Sequence, residues 1–281
     1  MKGIINDLYS SVVDGVTQLG DEFKLMSAHM EADFKEFTQE LGIGYFSKLS
    51  REQLQLDKAA LAEFANNFYW GNFLSDQEAK TNLERGIVEI VGEGGGHSSN
   101  GLLITRNGYV ITSHHCVDDL HKGRLFVRRD NGQFYRITKV VFAGKGSDIA
   151  LVKADKGGPA EAIRYRFAPK FDIAQEFPVA HYSYWNQRLK KIFGIVRNPK
   201  LRKVRALGKE FPYGNQVEVS MKTICGDSGG IVATKNSEIY GVVSTGNAKD
   251  VDITYCTFWF EAIAIINGLI NYKKKAEAKH S

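Results

Sequence analysis

The sequence predicts an α+β protein in which a helical N-terminal segment precedes an all-β part that ends in one helix. Three changes near Arg85 support this division. Apolar residues recur at helical intervals before Arg85 and in short β-type runs after it. Residues 1–85 hold six of the 28 glycines and none of the five prolines. They carry a net charge of −6, against +11 for the remaining residues. We therefore expect two domains, residues 1–85 and 86–281.

The N-terminal segment has two stretches, residues 4–19 and 23–41, in which apolar side chains lie three and four residues apart. This spacing is typical of amphipathic helices. The S-x-x-E/Q pattern that caps the first turn of a helix occurs at residues 50–53 and 75–78. We predict three or four helices. They form either a regulatory or partner-binding module or a helical extension that packs on the next domain.

The all-β prediction rests on about ten short runs rich in β-branched and aromatic residues, broken by glycine. Asn107-Gly108 and Asn131-Gly132 predict tight hairpin turns with positive φ angles. Apolar residues at helical spacing over 260–272 predict the C-terminal helix. The β-type runs occupy residues 86–92, 101–113, 124–144, 148–154, 191–197, 203–207, 216–221, 229–234, 238–246 and 253–260.

The composition excludes several classes of protein. With 43% hydrophobic and 25% charged residues, the chain is neither disordered, collagenous nor a coiled coil. Asp7 and Asp14 interrupt the N-terminus, and no run of 18 apolar residues occurs, so we expect a soluble, unexported, cytoplasmic protein. Cys116, Cys225 and Cys256 are too few and too far apart for a disulfide framework or a zinc motif. The expectation is a reducing compartment and no metal or cofactor.

Three motifs bring nucleophilic chemistry into view. His115 follows a strand, Asp148 opens one, and Ser228 lies in a glycine-rich turn. A serine hydroxyl becomes a nucleophile when an imidazole takes its proton and a carboxylate holds the other ring nitrogen. Each residue alone has an ordinary structural explanation. Together, on an all-β chain, they predict a Ser-His-Asp triad.

The three motifs resemble those of the chymotrypsin-like serine protease family. TSHHC at 112–116 is similar to that family's T-A-A-H-C, and SDIALV at 147–152 is similar to its D-I-A-L strand. GDSGG at 226–230 matches its nucleophile motif. The resemblance covers residues 86–272 and leaves out the helical front. It implies two six-stranded Greek-key barrels with the active site in the cleft between them.

The resemblance also implies a reaction. Ser228 would attack a peptide carbonyl, His115 would act as base and then acid, and Asp148 would fix the imidazole tautomer. The separations, 33 residues from His115 to Asp148 and 80 from Asp148 to Ser228, resemble those of bacterial heat-shock proteases and glutamyl endopeptidases. His114 also precedes the cysteine, but the alignment selects His115. The amides of Gly226 and Ser228 would form the oxyanion hole.

The resemblance is less specific about the substrate. Lys222 stands where trypsin-like members have aspartate at the base of the pocket, so cleavage after Lys or Arg is not expected. Lys222 would either pair with an acidic side chain, with Thr223 supplying a hydroxyl, or extend to solvent and leave a neutral pocket. Val243 departs from the histidine of glutamyl endopeptidases, which weakens the acidic assignment. The strand that would bind the substrate backbone contains Ser244, Thr245 and Gly246.

Activation is a separate question. Arg85-Gly86-Ile87 faintly resembles the activation site of trypsinogen, where a new isoleucine N-terminus pairs with the aspartate that corresponds to Asp227. Here Ile87 must itself begin the first barrel strand, so this route is not expected. Asp227 then needs another partner, which the sequence does not name. We expect a protease that is competent as synthesised or gated by its helical front.

Residues 188–209 contain nine Lys and Arg and no acidic residue. Such a stretch is usually a solvated strand face. Because its charge is opposite to that of residues 1–85, the acidic N-terminal segment is a candidate to dock on it. An acidic protein partner or nucleic acid is the alternative contact. Two functions follow. The first is a serine endopeptidase that acts on a protein substrate and binds an activator or adaptor through residues 1–85. The second is a catalytically silent barrel protein that binds through its basic face.

Overall fold

A computed structural model describes part of the chain in detail. The chain divides into two compact units, Met1–Ser50 and Arg51–Ser281. The helices predicted over 4–41, the capping pattern at 50–53 and the C-terminal helix lie outside the described residues. Among the described helical segments, none has the length and hydropathy that crossing a bilayer requires. The described residues are 54–56, 59–60, 63–64, 74–94, 97–117, 124–144, 148–155, 164–168, 175–185, 187–202, 205–206, 209–210, 216–246 and 252–258.

Six antiparallel strands form the first barrel, in the closed order β2-β3-β4-β7-β6-β5. A further short strand, β1, pairs with β6 and lies outside this ring. The strand bounds are β1 Leu54–Leu56, β2 Ile87–Gly92, β3 His97–Leu103, β4 Tyr109–Thr112, β5 Leu125–Arg128, β6 Phe134–Gly144 and β7 Ile149–Ala154.

The second barrel is also closed and antiparallel, in the order β12-β15-β14-β13-β8-β9, with β10 and β11 as a separate hairpin. The prediction of two six-stranded barrels is thereby confirmed, whereas their Greek-key description stays a prediction. The strands are β8 Pro178–Trp185, β9 Arg188–Arg202, β10 Arg205–Ala206, β11 Lys209–Glu210, β12 Gln216–Ser220, β13 Ile231–Thr234, β14 Ile239–Gly246 and β15 Ile253–Phe258.

The strand patterns follow from burial. In β2, five of the six residues are buried, including Glu89, whose carboxylate pairs with Arg128 Nε over 2.6 Å. β4 is buried throughout, so burial in these strands is continuous rather than alternating. β2 of the first barrel contacts β8 of the second. Each fully buried Ile, Leu or Val contributes about 1.5–3 kcal/mol relative to an exposed one. Each barrel therefore has a buried apolar interior, and the two interiors are joined by the contact of β2 with β8.

Helix α1, Asp76–Gly86, confirms the capping pattern at 75–78. The Ser75 N–H donates to Glu78 Oε2 over 2.8 Å, and the Glu78 N–H donates to Ser75 Oγ over 3.3 Å. These bonds satisfy amides that have no acceptor within the helix. The helix ends where β2 begins, so α1 leads directly into the first barrel.

Other parts of the predicted helical front also pack on this barrel. Leu54–Leu56 is a strand, where the sequence predicts helix, because its backbone pairs with β6. The Tyr109 hydroxyl donates to Ala60 O over 2.6 Å and to Glu63 Oε2 over 2.9 Å. Lys153 Nζ lies 3.1 Å from Glu63 Oε1. The described residues between 54 and 86 are therefore part of the barrel's surroundings, and the domain boundary at residue 85 stays a prediction.

The two Asn-Gly turns form where expected but with a different geometry. Only the glycines, Gly108 and Gly132, have positive φ, at 92° and 76°. In the second turn, Gly132 N–H donates to Arg129 O over 2.9 Å, and Asn131 Oδ1 accepts from Gln133 N over 3.0 Å. The asparagine thus forms a side-chain turn and keeps a negative φ, and the prediction of positive φ at both residues is wrong.

Candidate active site

His115 and Asp148 meet at the end of the first barrel. Ser113–Val117 contains one 3-10 turn, His114–Cys116, which follows β4. The His115 N–H donates to Asp148 Oδ1 over 3.0 Å, and His115 Nδ1 lies 2.9 Å from Asp148 Oδ2. Asp148 is fully buried, whereas the His115 side chain is one-third exposed, at 33%. The carboxylate therefore fixes both the position and the orientation of the imidazole.

Asp148 is held in turn by the second barrel. The Ser244 hydroxyl donates to Asp148 Oδ2, and Gln216 Nε2 donates to Ser244 Oγ over 2.5 Å. Asp148 adopts a left-handed backbone, with φ of 51°. Aspartate tolerates this region better than most residues. Three hydrogen-bond donors therefore hold the buried carboxylate in place.

The pKa of His115 is displaced upward. Burial acts to lower this pKa, but the hydrogen bond to Asp148 and the contact with Cys116 outweigh it and raise the pKa to about 11. Cys116 Sγ lies 3.7 Å from His115 Nε2, the nitrogen on the side away from Asp148. Neutral imidazole is the form that accepts a proton. The site therefore holds a strongly basic histidine.

A pH profile tests this shift. Because only neutral His115 acts as a base, acylation of the serine is expected to accelerate with rising pH beyond the ordinary histidine pKa of about 6.5. The raised pKa also stabilises the fold below that ordinary value, and this contribution falls as the pH rises toward the folded-state value. The measurement is the rate of fluorophosphonate labelling between about pH 5 and pH 10. A rate that levels off at about pH 6.5 would contradict the assignment.

Ser228 lies in a turn with unusual backbone angles. Gly226 and Gly229 have φ of 96° and 77°. The Asp227 N–H donates to Ile224 O over 3.0 Å, which closes a four-residue turn with Gly226 in its third position. This is the type II geometry, in which the third residue needs positive φ and the central peptide is turned over relative to type I. The Ser228 hydroxyl donates to Ser244 O over 3.3 Å.

Asn100 ties this turn to the first barrel. Its N–H donates to Ser228 O over 2.8 Å, and its Nδ2 donates to Gly226 O over 2.8 Å. Its Oδ1 accepts from Tyr184 N over 2.6 Å. A Cβ at Gly229 would overlap Asn100 O. Asn100 is not among the site residues predicted from the sequence. The Asn-Gly pair at 100–101 is typical of a turn, and no local signal indicates a contact more than 120 positions away.

Replacing Asn100 by alanine is expected to impair both the turn and the fold. The change removes the Nδ2 donor to Gly226 O and the Oδ1 acceptor of the Tyr184 N–H, and an unpaired buried group such as that N–H costs about 1–3 kcal/mol. Labelling of Ser228 should fall with the loss of order in the turn. Thermal unfolding and labelling rate measure the two effects. Asn236→Ala is the matched control, because Asn236 is exposed, and it should change neither.

Comparison with known proteins identifies the family of this chain. The family model of the trypsin-like peptidase domain matches residues 99–242, more than half of the chain. This stretch includes His115, Asp148 and Ser228. The chain belongs to the trypsin-like peptidase family. No curated protein matches the chain in sequence.

Solved structures share the fold of this trypsin-like peptidase at low identity. An HtrA-type protease, AlgW with a tripeptide, is 14% identical with a TM-score of 0.56, over 71% of this chain and 65% of that one. A serine endoprotease from Yersinia pestis is 16% identical with a TM-score of 0.53, over 70% and 67%. A protein from M. tuberculosis in an inactive form is 17% identical with a TM-score of 0.54, over 72% and 94%. The chain spans less than two thirds of the length of the AlgW chain.

The residues predicted for the substrate pocket of this trypsin-like peptidase lie near one another. Thr223 Oγ1 lies 2.8 Å from Thr254 Oγ1, and a Cβ at Gly246 would lie 3.5 Å from the Thr223 hydroxyl. Lys222 is exposed. Thr245 and Gly246 pair with β15 on one side. Thr223 and Gly246 therefore face each other, with Lys222 at the solvent side.

The cysteines of the peptidase are all free thiols. Cys256 is buried, and burial raises its pKa to about 12, so it remains protonated. Cys116 is half-buried beside His115, whereas Cys225 is exposed. Among the described residues, no cluster of metal-ligating side chains occurs.

Asp227 is the second buried carboxylate of the site. It accepts from Ser183 Oγ over 3.0 Å, from Lys190 Nζ over 2.9 Å and from Ile224 N over 2.9 Å. Burial acts to raise the pKa of Asp227, but the Ile224 N–H and the Lys190 ammonium lower it below the ordinary value. Burial lowers the pKa of the nearby His181 to about 4. Because His181 is neutral, Lys190 is the cation that forms an ion pair with Asp227.

Proposed function

We propose that this chain is a serine endopeptidase that hydrolyses peptide bonds through Ser228, His115 and Asp148. The observation that carries the proposal is the double hold of Asp148 on His115, through the backbone N–H and through Nδ1. A carboxylate placed in this way keeps the proton on Nδ1 and leaves Nε2 as the base. Membership of the trypsin-like peptidase family supports the same reaction.

The mechanism is acyl transfer in two halves. His115 Nε2 takes the proton of the Ser228 hydroxyl as Oγ attacks the scissile carbonyl, and Asp148 stabilises the resulting imidazolium. His115 then gives that proton to the leaving amine, and the C–N bond breaks. Water, deprotonated by the same nitrogen, attacks the acyl-enzyme. Release of the acid restores the Ser228 hydroxyl and neutral His115.

The oxyanion of each tetrahedral intermediate needs donors fixed in advance. We assign this role to the amides of Gly226 and Ser228. The type II turn supports the assignment, because it needs a glycine at 226. The Ser228 N–H has no hydrogen-bond acceptor among the residues that the structure describes. Losing one such donor typically costs on the order of 100- to 1000-fold in rate.

The substrate in this proposal is a protein segment in extended conformation. Ser244, Thr245 and Gly246 would bind its backbone as an added strand, since β13 pairs with β14 only as far as Val242. Lys222 at the pocket disfavours Lys and Arg before the scissile bond by like-charge repulsion. Its exposure favours the neutral pocket over the acidic one.

Incubation with a proteome-derived peptide library tests the proposal. We expect new N-termini at defined positions, with few cleavages after Lys or Arg. His115→Ala is the control and should produce none of them. A library left intact by the wild-type chain would contradict the endopeptidase function, and a dominance of cleavage after Lys or Arg would contradict the role given to Lys222.

We also propose that the N-terminal part of the chain gates or targets the peptidase, with an activator or adaptor as its partner. The opposite charges of residues 1–85 and 86–281 support this regulation. Truncation should begin at residue 51, because Leu54–Leu56 pairs with β6 and Ala60 O accepts from the Tyr109 hydroxyl. Unequal labelling of residues 1–281 and 51–281 is expected, and equal rates at every salt concentration would contradict gating.

A second candidate function is binding by a catalytically silent barrel. The outer side of β9 favours it, because Lys191 and Arg197 are exposed there and Phe193 is 75% exposed. Exposed cations beside an apolar ring suit an acidic protein or nucleic acid. Peptide cleavage that depends on His115 would exclude a catalytically silent barrel. The cytosolic location stays a prediction, to which the free thiols of Cys116, Cys225 and Cys256 conform.

A further inference from the structure

Asp227 is hydrogen-bonded within the turn that presents Ser228. Its Oδ2 accepts from Ile224 N and from Lys190 Nζ, each over 2.9 Å. The first of these bonds is inside the turn itself, and the second leads to a strand of the barrel. The Asp227 carboxylate therefore links Lys190 to the backbone of the turn at Ile224.

Lys190 is placed by regular strand pairing. It lies opposite Ser183 in the β8–β9 register, and directly opposed residues project to the same side of a sheet. Both side chains reach Asp227. The Asp227 side chain is 1% exposed, and the Lys190 side chain is 28% exposed. The cation is thus supplied by the closed barrel and is in place as soon as that barrel has folded.

The alternative source of a cation would be a new N-terminus made by cleavage after Arg85. Gly86 and Ile87 are buried. Ile87 pairs with Leu102 as the first residue of β2. A Cβ at Gly86 would overlap the Tyr165 hydroxyl. Cleavage at this bond would require the α1–β2 junction to unfold, so the folded chain does not offer it.

We infer that Lys190 is a positioning residue that holds Asp227 and the Gly226–Ser228 turn in the reactive arrangement without proteolytic activation. The inference rests on the proposed peptidase function and deepens its regulation. Removing the ammonium leaves a buried carboxylate without its cation, and such a carboxylate moves toward water or takes up a proton. Either change releases the Ile224 N–H and the turn that it closes.

Fluorophosphonate labelling of the full, uncleaved chain tests the inference, with intact mass confirming that both termini are present. Lys190→Met is expected to lower the labelling rate on the order of 100-fold, as loss of an oxyanion donor does. Lys190→Arg keeps the cation and should retain most of the rate. Lys191→Met is the matched control, because it removes the same charge from the adjacent, exposed residue, and its rate should stay near that of wild type.

A second set of variants separates positioning from a general loss of structure. In an Asp227→Asn background, Lys190→Met should cause little further loss, because the two residues act as one unit. Added propylammonium should restore part of the labelling of Lys190→Ala, which a merely unfolded chain would not show. Wild-type labelling by Lys190→Met, or full additivity with Asp227→Asn, would overturn the inference.

Labelling of the wild-type chain distinguishes a failure of the role of Lys190 from a failure of the peptidase function. Labelling only after cleavage near Arg85 would overturn the role of Lys190 and leave the peptidase function intact. Absence of labelling both before and after such cleavage would overturn the peptidase function and the inference with it. Labelling of the uncleaved wild type, with its loss in Lys190→Met and its retention in Lys190→Arg, is the result that the structure predicts.

Discussion

Replacing Ser228 by alanine is expected to lower kcat by about a million-fold and to leave the fold intact. Removing the nucleophile of such a triad costs about as much as removing all three members. The Ser228 hydroxyl is only partly buried and donates over 3.3 Å to Ser244 O, so its loss leaves little unsatisfied. The Ser228 backbone oxygen still accepts from Asn100 N.

The measurement for this variant is kcat on a peptide from the library, together with the unfolding temperature. Asn236→Ala is the control, since Asn236 lies exposed in the turn before β14 and takes no part in the site. A Ser228→Ala enzyme within tenfold of the wild-type rate would require another nucleophile and would contradict the mechanism.

Replacing Asp148 by asparagine is expected to lower kcat by about 10,000-fold. The carboxylate accepts from His115 N, His115 Nδ1 and the Ser244 hydroxyl, and an amide has one NH2 group that must face one of these donors. Either the imidazole adopts the other tautomer, with its proton on Nε2, or Ser244 loses its acceptor. In the first case the base is unable to take the serine proton.

The effect of Asp148→Asn should lie mainly in kcat rather than KM, and the base should titrate at lower pH, because the negative charge that raises the pKa of His115 is gone. Asparagine tolerates the left-handed backbone at φ 51° as well as aspartate does, so the backbone change is small. Asp155→Asn, at the exposed end of the same strand region, is the control. Unchanged kcat in Asp148→Asn would contradict the assigned role.

The parts of the fold that the sequence predicts are those encoded by local signals. Glycine-bounded apolar runs predict most strands of both barrels, and the Ser75 pattern predicts the start of α1. β8 was missed because His181 and Ser183 interrupt its apolar character, although both are buried. Their burial depends on neighbours from other strands, which no local pattern records.

The candidate site divides in the same way. His115, Asp148 and Ser228 follow from motifs, but Asn100 and Lys190 do not. Asn100 contacts residues at 184, 226 and 228, and Lys190 finds Asp227 through the register of two strands. The sequence indicated that Asp227 needs a partner. It did not indicate that Lys190 is that partner, because Lys190 is one of nine cationic residues between 188 and 209. The pairing of β8 with β9, rather than the local composition, determines which cation reaches Asp227.

Mass spectrometry of the fluorophosphonate-treated chain tests whether Ser228, His115 and Asp148 act together. We expect a single covalent adduct on the peptide that contains Gly226-Asp227-Ser228, with the modification on Ser228 Oγ and a rate that depends on neutral His115. Absence of an adduct at Ser228, or an adduct of equal rate in the Asp148→Asn variant, would contradict the claim that these three residues form a working triad.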